Sequence, residues 1–186
     1  MEKVALIGMG NLMFKDEGLG TYLAKYIELN YNIPQNLEIV DGGLMGFGLM
    51  SYYQEFDKIL IVSTNSKNDT PGTISSYSDL EMLKLGKTRK SANEVELAMM
   101  IEICSVKEDM AKIEFITMTP QNIEDVEVNL SPIVLKNMPK LLNLTLKKLQ
   151  SYGITLEPKK NRYSFQDIIK LCANPKNSDP KTLIKG

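Results

Sequence analysis

The apolar positions of this chain follow two alternating periods. Short runs rich in Val, Ile and Leu, bounded by charged or turn residues, occupy positions 3–8, 37–40, 58–64 and 113–118 and predict β-strands. They are almost continuously apolar, which predicts strands covered on both faces. Between them the period changes to three and four: Leu19, Tyr22, Leu23, Tyr26 and Ile27 form one helical stripe, and Val95, Leu97, Met99 and Ile103 a less regular one. A longer helix is expected from about 131 to 152, with Ser131 as its cap and Pro132 at its first position. Pro139 should end or kink the first part of that helix. Strands alternating with helices predict the α/β class: a three-layer sandwich with a mainly parallel, twisted sheet and helices on both faces.

The main domain is expected over residues 1–156. From Glu157 onward Lys, Asn and Pro dominate, interrupted by a stripe of Phe165, Ile168, Ile169 and Cys172. Residues 157–186 therefore read as a C-terminal extension with a short helix docked on its own domain and a frayed end after Pro175. A length of 186 residues with 43% apolar content suffices for one sizeable core.

Charge adds mainly exclusions. With 22 basic and 23 acidic residues, the chain has no net field to attract nucleic acid or an anionic membrane. The first apolar run, Val4-Ala5-Leu6-Ile7, is too short for an export signal or a membrane span, so a cytoplasmic protein is expected. Cys104 and Cys172 are widely separated and read as two reduced thiols. Histidine is absent altogether, which removes the commonest general base and the commonest transition-metal ligand. Any metal would fall to Asp, Glu, Cys or backbone oxygen, favouring hard ions or weak sites.

In sheets of this class ligands gather beyond the carboxyl ends of the strands. Those ends carry Gly8-Met9-Gly10-Asn11, Asp41-Gly42-Gly43 and Ser63-Thr64-Asn65. The first is not a dinucleotide fingerprint, because Met13 stands where the third glycine belongs. Asp16 and Glu17 would repel a pyrophosphate, although both suit the positive end of a helix dipole. Asp41-Gly42-Gly43 reads equally as a turn or as the wall of a site. Ser63 has neither an imidazole base nor a nucleophile-elbow sequence, and Cys104 has no base nearby in sequence, which disfavours Ser and Cys catalysis. The basic run Lys87-Thr88-Arg89-Lys90 reads as a solvated loop or a contact for an acidic partner patch.

Taken in order, Gly8-x-Gly10-Asn11, Asp16-Glu17-Gly18-x-Gly20, Asp41-Gly42-Gly43, the strand Leu60-Ile61-Val62, Pro71-Gly72-Thr73 and Leu130-Ser131-Pro132 resemble the nickel-iron hydrogenase maturation endopeptidases. The resemblance covers about residues 3–152. It implies a peptidase that trims a C-terminal extension from a hydrogenase large subunit after nickel loading. It also implies a glutamate, an aspartate and a histidine at the strand ends that read the nickel. On this chain the glutamate falls on Glu17, while the aspartate and histidine positions fall on Ser63 and Asn93, the last within Ser91-Ala92-Asn93. A hydroxyl or an amide is a poor transition-metal ligand compared with carboxylate or imidazole. Gly10, Asn11, Asp16, Asp41, Gly42 and Gly43 are the expected cleft walls, and Glu17, Asp41, Ser63 and Asn93 are expected to converge. The nearby acids Asp69 and Glu94 read as solvated or capping groups. The implied partner is a hydrogenase large subunit or a related metalloprotein, with no tightly bound cofactor of its own and any nickel carried in by the substrate. Three functions stay open: a maturation endopeptidase with a reduced site, a non-cleaving pseudoprotease or assembly chaperone, and a small-molecule-binding α/β protein.

Overall fold

The apolar runs become the strands of one sheet in a computed structural model, which describes residues 1–43, 46–67, 69–79, 81, 99, 102 and 111–174. The strands are β1 (Val4–Met9), β2 (Tyr31–Asn32), β3 (Leu37–Gly43), β4 (Lys58–Thr64), β5 (Ile74–Ser78), β6 (Lys112–Met118) and β7 (Glu157–Pro158). The described helices are α1 (Leu19–Asn30), α2 (Met50–Glu55), α3 (Pro132–Ser151) and α4 (Phe165–Ala173). Five strands pair in the order β3-β1-β4-β6-β5, all parallel except β5, which runs antiparallel to β6. β2 and β7 form a separate antiparallel pair. No sequence signal announces β5: Ile74-Ser75-Ser76-Tyr77-Ser78 has two large apolar residues in five. It ends the strand order and pairs with β6, and its two large apolar side chains are partly buried, Ile74 against one core layer and Tyr77 against the other.

Two apolar layers cover the sheet, and strand pleating divides the side chains between them. Val4 and Leu6 of β1, Leu60 and Val62 of β4, and Ile116 and Met118 of β6 join the layer with α1, α3 and α4. Their neighbours Ala5, Ile7, Met9, Ile59, Ile61, Ile113 and Phe115 join the opposite layer with Leu49 and Tyr53. The three-layer α/β sandwich is thus present, with helices on both faces. The irregular stripe expected at 95–103 falls outside the described residues save Met99, which is exposed. Asn93, Glu94, Cys104, the run 87–90 and the segment beyond Asn174 also lie outside them.

Helix α3 starts at Pro132, as its sequence predicts, but runs unbroken through Pro139 to Ser151. Proline there removes one backbone donor. Val134, Met138, Leu141, Thr145 and Leu149 are buried along one face, and that burial outweighs the missing bond. Ser131 occupies the N-cap position, yet its side chain makes no bond to the helix. Its hydroxyl donates instead to Asp16 (2.8 Å).

Helix α4 docks on its own domain. Phe165, Ile168, Ile169 and Leu171 are buried in the layer that holds Tyr22, Leu23 and Ile27 of α1, and the Phe165 and Tyr26 rings stack at 4.1 Å. A capping box between Ser164 and Asp167 starts this helix. Wholly buried Asn30 ties the preceding segment down, accepting from the Tyr163 amide (2.6 Å) and donating to the Tyr163 carbonyl (3.2 Å).

Candidate active site at the carboxyl edge of the sheet

From β1 the chain passes through α1 to β3 on one side of the sheet, then through α2 back across to β4 on the other. The crossovers diverge at the seam between β1 and β4, and such a switch point leaves a crevice beyond the strand ends. Helix α1 begins directly over this seam. Gly20 makes the approach possible, since a Cβ there would run into the carbonyl oxygens of Val62 on β4 and Met9 on β1. A 3-10 turn over Lys15–Gly18 leads into α1 and packs against β4. Gly10, at φ +135°, lets the Glu17 carbonyl lie directly on the backbone after β1.

Glu17 is therefore held at the switch point. It is half-buried, and desolvation raises its carboxyl above the ordinary carboxylate value of 4.5. Because its pKa is higher folded than unfolded, its contribution to stability is full below about 4.5 and is lost as pH rises through the folded value. At neutral pH the ionised side chain is thus a burden on the fold. Glu17→Gln is expected to raise stability slightly at neutral pH, with the gain vanishing in acid. Urea denaturation at both pH values checks this, and a loss of stability at neutral pH would show that Glu17 supports the fold instead.

Asp16 departs from its expected place on the cleft wall. It is fully buried and its carboxylate accepts four hydrogen bonds: from the amides of Gln121 (2.9 Å), Asn122 (2.9 Å) and Ser131 (2.6 Å) and from the Ser131 hydroxyl (2.8 Å). It fastens the turn carrying Glu17 to the segment 121–131. Lys15, just before it, has φ 43°, a left-handed conformation that costs a non-glycine residue about 1 kcal/mol. Its amide donates to the Glu127 carbonyl (2.9 Å), and its ammonium pairs with Asp125 (3.3 Å) and Glu127 (3.1 Å).

Ser63 is the next-to-last residue of β4, on the other side of the seam. It is 5% exposed, and its hydroxyl donates to the Thr64 carbonyl (3.0 Å). Strand alternation puts its side chain on the face of Ile59 and Ile61, the α2 layer. Asp41 alternates with Leu37 and Ile39 and so lies on the opposite, α1 face. The two share one edge of the sheet but are divided between its faces, so Asp41 and Ser63 do not converge as expected. Asn93 lies outside the described residues. Asn11 closes its own turn, its side chain accepting from the Met13 amide (2.9 Å). Gly42 packs against Ile7 and Met9, and the Gly43 carbonyl accepts from the Gly10 amide (3.3 Å). Asp69 is exposed, as a solvated acid should be.

Three threonines, Thr21, Thr117 and Thr119, escaped sequence reasoning. Thr21 donates toward the Gly10 carbonyl (3.2 Å) and Asp41 Oδ1 (3.3 Å), joining β1 to β3. Buried Asn65 donates to Thr117 (2.9 Å) and accepts from Thr119 (3.2 Å), tying the end of β4 to that of β6. The only signal was polar residues adjoining otherwise apolar runs. Among the described residues no three carboxylate or thiol groups gather as a metal cluster would require.

A family model described as HycI, hydrogenase maturation protease, matches residues 21–148. The chain belongs to the hydrogenase maturation protease family. Similar curated proteins include the hydrogenase 2 maturation protease of Escherichia coli, 25% identical over 84% of this chain and 96% of that one. The hydrogenase expression/formation protein HupD of Bradyrhizobium diazoefficiens is 24% identical over 83% and 81% respectively. The solved structure of the hydrogenase maturating endopeptidase HybD from E. coli superposes with a TM-score of 0.79 at 25% identity, covering 84% of this chain and 98% of that one. HybD from Thermococcus kodakarensis shares the fold, with a TM-score of 0.64 at 21% identity over 78% and 98%. Helix α4 lies beyond the residues that the family model matches. Among the described residues no helix is long and apolar enough to cross a membrane.

Proposed function

We propose that this protein docks a nickel-iron hydrogenase large subunit, or a related metalloprotein, at the carboxyl edge of its sheet and cleaves it slowly or not at all. Membership of the maturation protease family supports the partner. The observation that carries the reduced chemistry is Ser63. Near the end of β4, beside the seam, it has a neutral, buried hydroxyl already donated to Thr64, where a metal-reading site needs an anionic or imidazole ligand. Glu17 is the retained ligand type and Asn93 the second replacement. Nickel in this reading is substrate cargo, and Glu17 alone does not complete a coordination shell, so the isolated protein binds nickel weakly. The glycine-built approach of α1 to the seam is independent of ligand identity, which lets docking persist where metal reading has weakened.

The test incubates nickel-loaded large-subunit precursor with wild type and with Ser63→Asp/Asn93→His, following the precursor by mass and the complex by co-elution. Wild type is expected to co-elute with the precursor and leave its mass largely unchanged, while the double variant binds nickel more tightly and accelerates processing. Efficient removal of the C-terminal extension by wild type would overturn slow cleavage. Failure to co-elute would overturn the partner.

A further inference from the structure

Beside the seam, on the α1 face, lies a second concavity. A cavity of about 250 Å³ opens between α1, the end of β3 and α4. Leu12, Ala24 and Ile39 supply apolar wall, and Cys172 of α4 forms another side. Asp41 stands in it, exposed, with one oxygen accepting from Thr21 at 3.3 Å and no ion pair among the described residues. Lys25, the one cation among the described lining residues, is paired with Glu28 at 2.8 Å, so the charges of that pair cancel and among the described residues that of Asp41 stays unbalanced.

We infer that this cavity is a subsite for one long cationic side chain, an arginine or lysine presented by the docked polypeptide, with Asp41 as its counter-charge. The apolar walls suit the methylene stem of such a residue, which lies along apolar surface while its charged head stays near water. Asp41 is the carboxylate that meets that head. A helix, with a diameter of about 10 Å or more, does not enter a space of this size, whereas a single side chain does. Asp41 is in register with Gly8 of β1, and Gly8 in turn with Val62 of β4. A chain lying along the strand ends at the seam therefore passes one strand away from Asp41. The C-terminal extension contributes a wall through Cys172 of α4, which lies beyond the residues that the family model matches. The subsite rests on the reading of this edge as a polypeptide-docking surface and names a residue class that surface selects.

Cys172 provides a readout that needs neither nickel nor cleavage. Its thiol is half-buried, and burial raises its pKa, so alkylation is slow and sensitive to anything that fills the cavity. The full-length protein is alkylated with iodoacetamide in the presence of a millimolar blocked Gly-Arg-Gly peptide or its uncharged citrulline analogue. Modification is followed by mass spectrometry on the peptide that carries Cys172. The arginine peptide is expected to slow Cys172 alkylation about fivefold relative to citrulline, the ratio given by about 1 kcal/mol. Asp41→Asn, a neutral replacement of the same shape at an exposed position, should erase that difference. Equal rates with both peptides in wild type, or a difference that survives in Asp41→Asn, overturns the assignment. Because processing of the precursor is measured separately by mass, this result leaves the proposed partner standing or falling on its own test.

Discussion

Asp16→Ala is expected to lower the unfolding free energy by about 3–5 kcal/mol, through three orphaned amides and one orphaned hydroxyl. The Gln121, Asn122 and Ser131 amides and the Ser131 hydroxyl all converge on a carboxylate with no exposed surface, so water does not replace it without opening the structure. For a chain of this size the midpoint should fall by roughly 10 °C. The damage should also reach function, because the same carboxylate fastens the turn carrying Glu17 to residues 121–131. Urea denaturation and co-elution with the large-subunit precursor measure the two effects. A variant within about 1 kcal/mol of wild type would show that the network relaxes or hydrates at little cost.

Gly20→Ala is expected to destabilise by about 3 kcal/mol, against the sign that helix propensity predicts. In an exposed helix the change would gain about 1 kcal/mol. Here the added methyl meets the backbone oxygens of Val62 and Met9, which are fixed by pairing in the two central strands and have no rotamer to change. Helix α1 must lift from the seam, loosening the contacts of Leu19, Tyr22 and Leu23 and displacing the turn that holds Glu17. Both stability and precursor binding should fall together. Unchanged or increased stability in urea would mean that α1 does not approach the sheet as closely as described.

The strands β1, β3, β4 and β6 and the helices α1, α3 and α4 were all legible in the chain, because each depends on a local pattern. Buried strands need runs of Val, Ile and Leu, and a docked helix needs apolar residues three and four apart. The glycines of the first turn were equally legible, since close backbone approach leaves no other choice of residue at Gly10 and Gly20. β5 was not, because two apolar residues in five make no recognisable run, and the strand it pairs with, β6, is distant in sequence. Continuation of α3 through Pro139 was not, because a local rule against proline was outweighed by burial along the whole helix.

At the site the division is the same. The sequence alone determined which residue types stand at the strand ends: a retained glutamate at 17, a neutral serine at 63, an acidic Asp41 and no histidine anywhere. Only the tertiary structure decided what each does. Asp16 and Glu17 are adjacent, yet the 3-10 turn buries the first under four donors from residues 121–131 and leaves the second half-open at the seam. Asp41 and Ser63 share an edge, yet strand alternation sends them to opposite faces. Ser131 looks like a helix cap and bonds Asp16 instead. Each outcome depends on a partner tens of residues away, and such pairings arise from the packing of whole elements, which no local pattern of residues encodes.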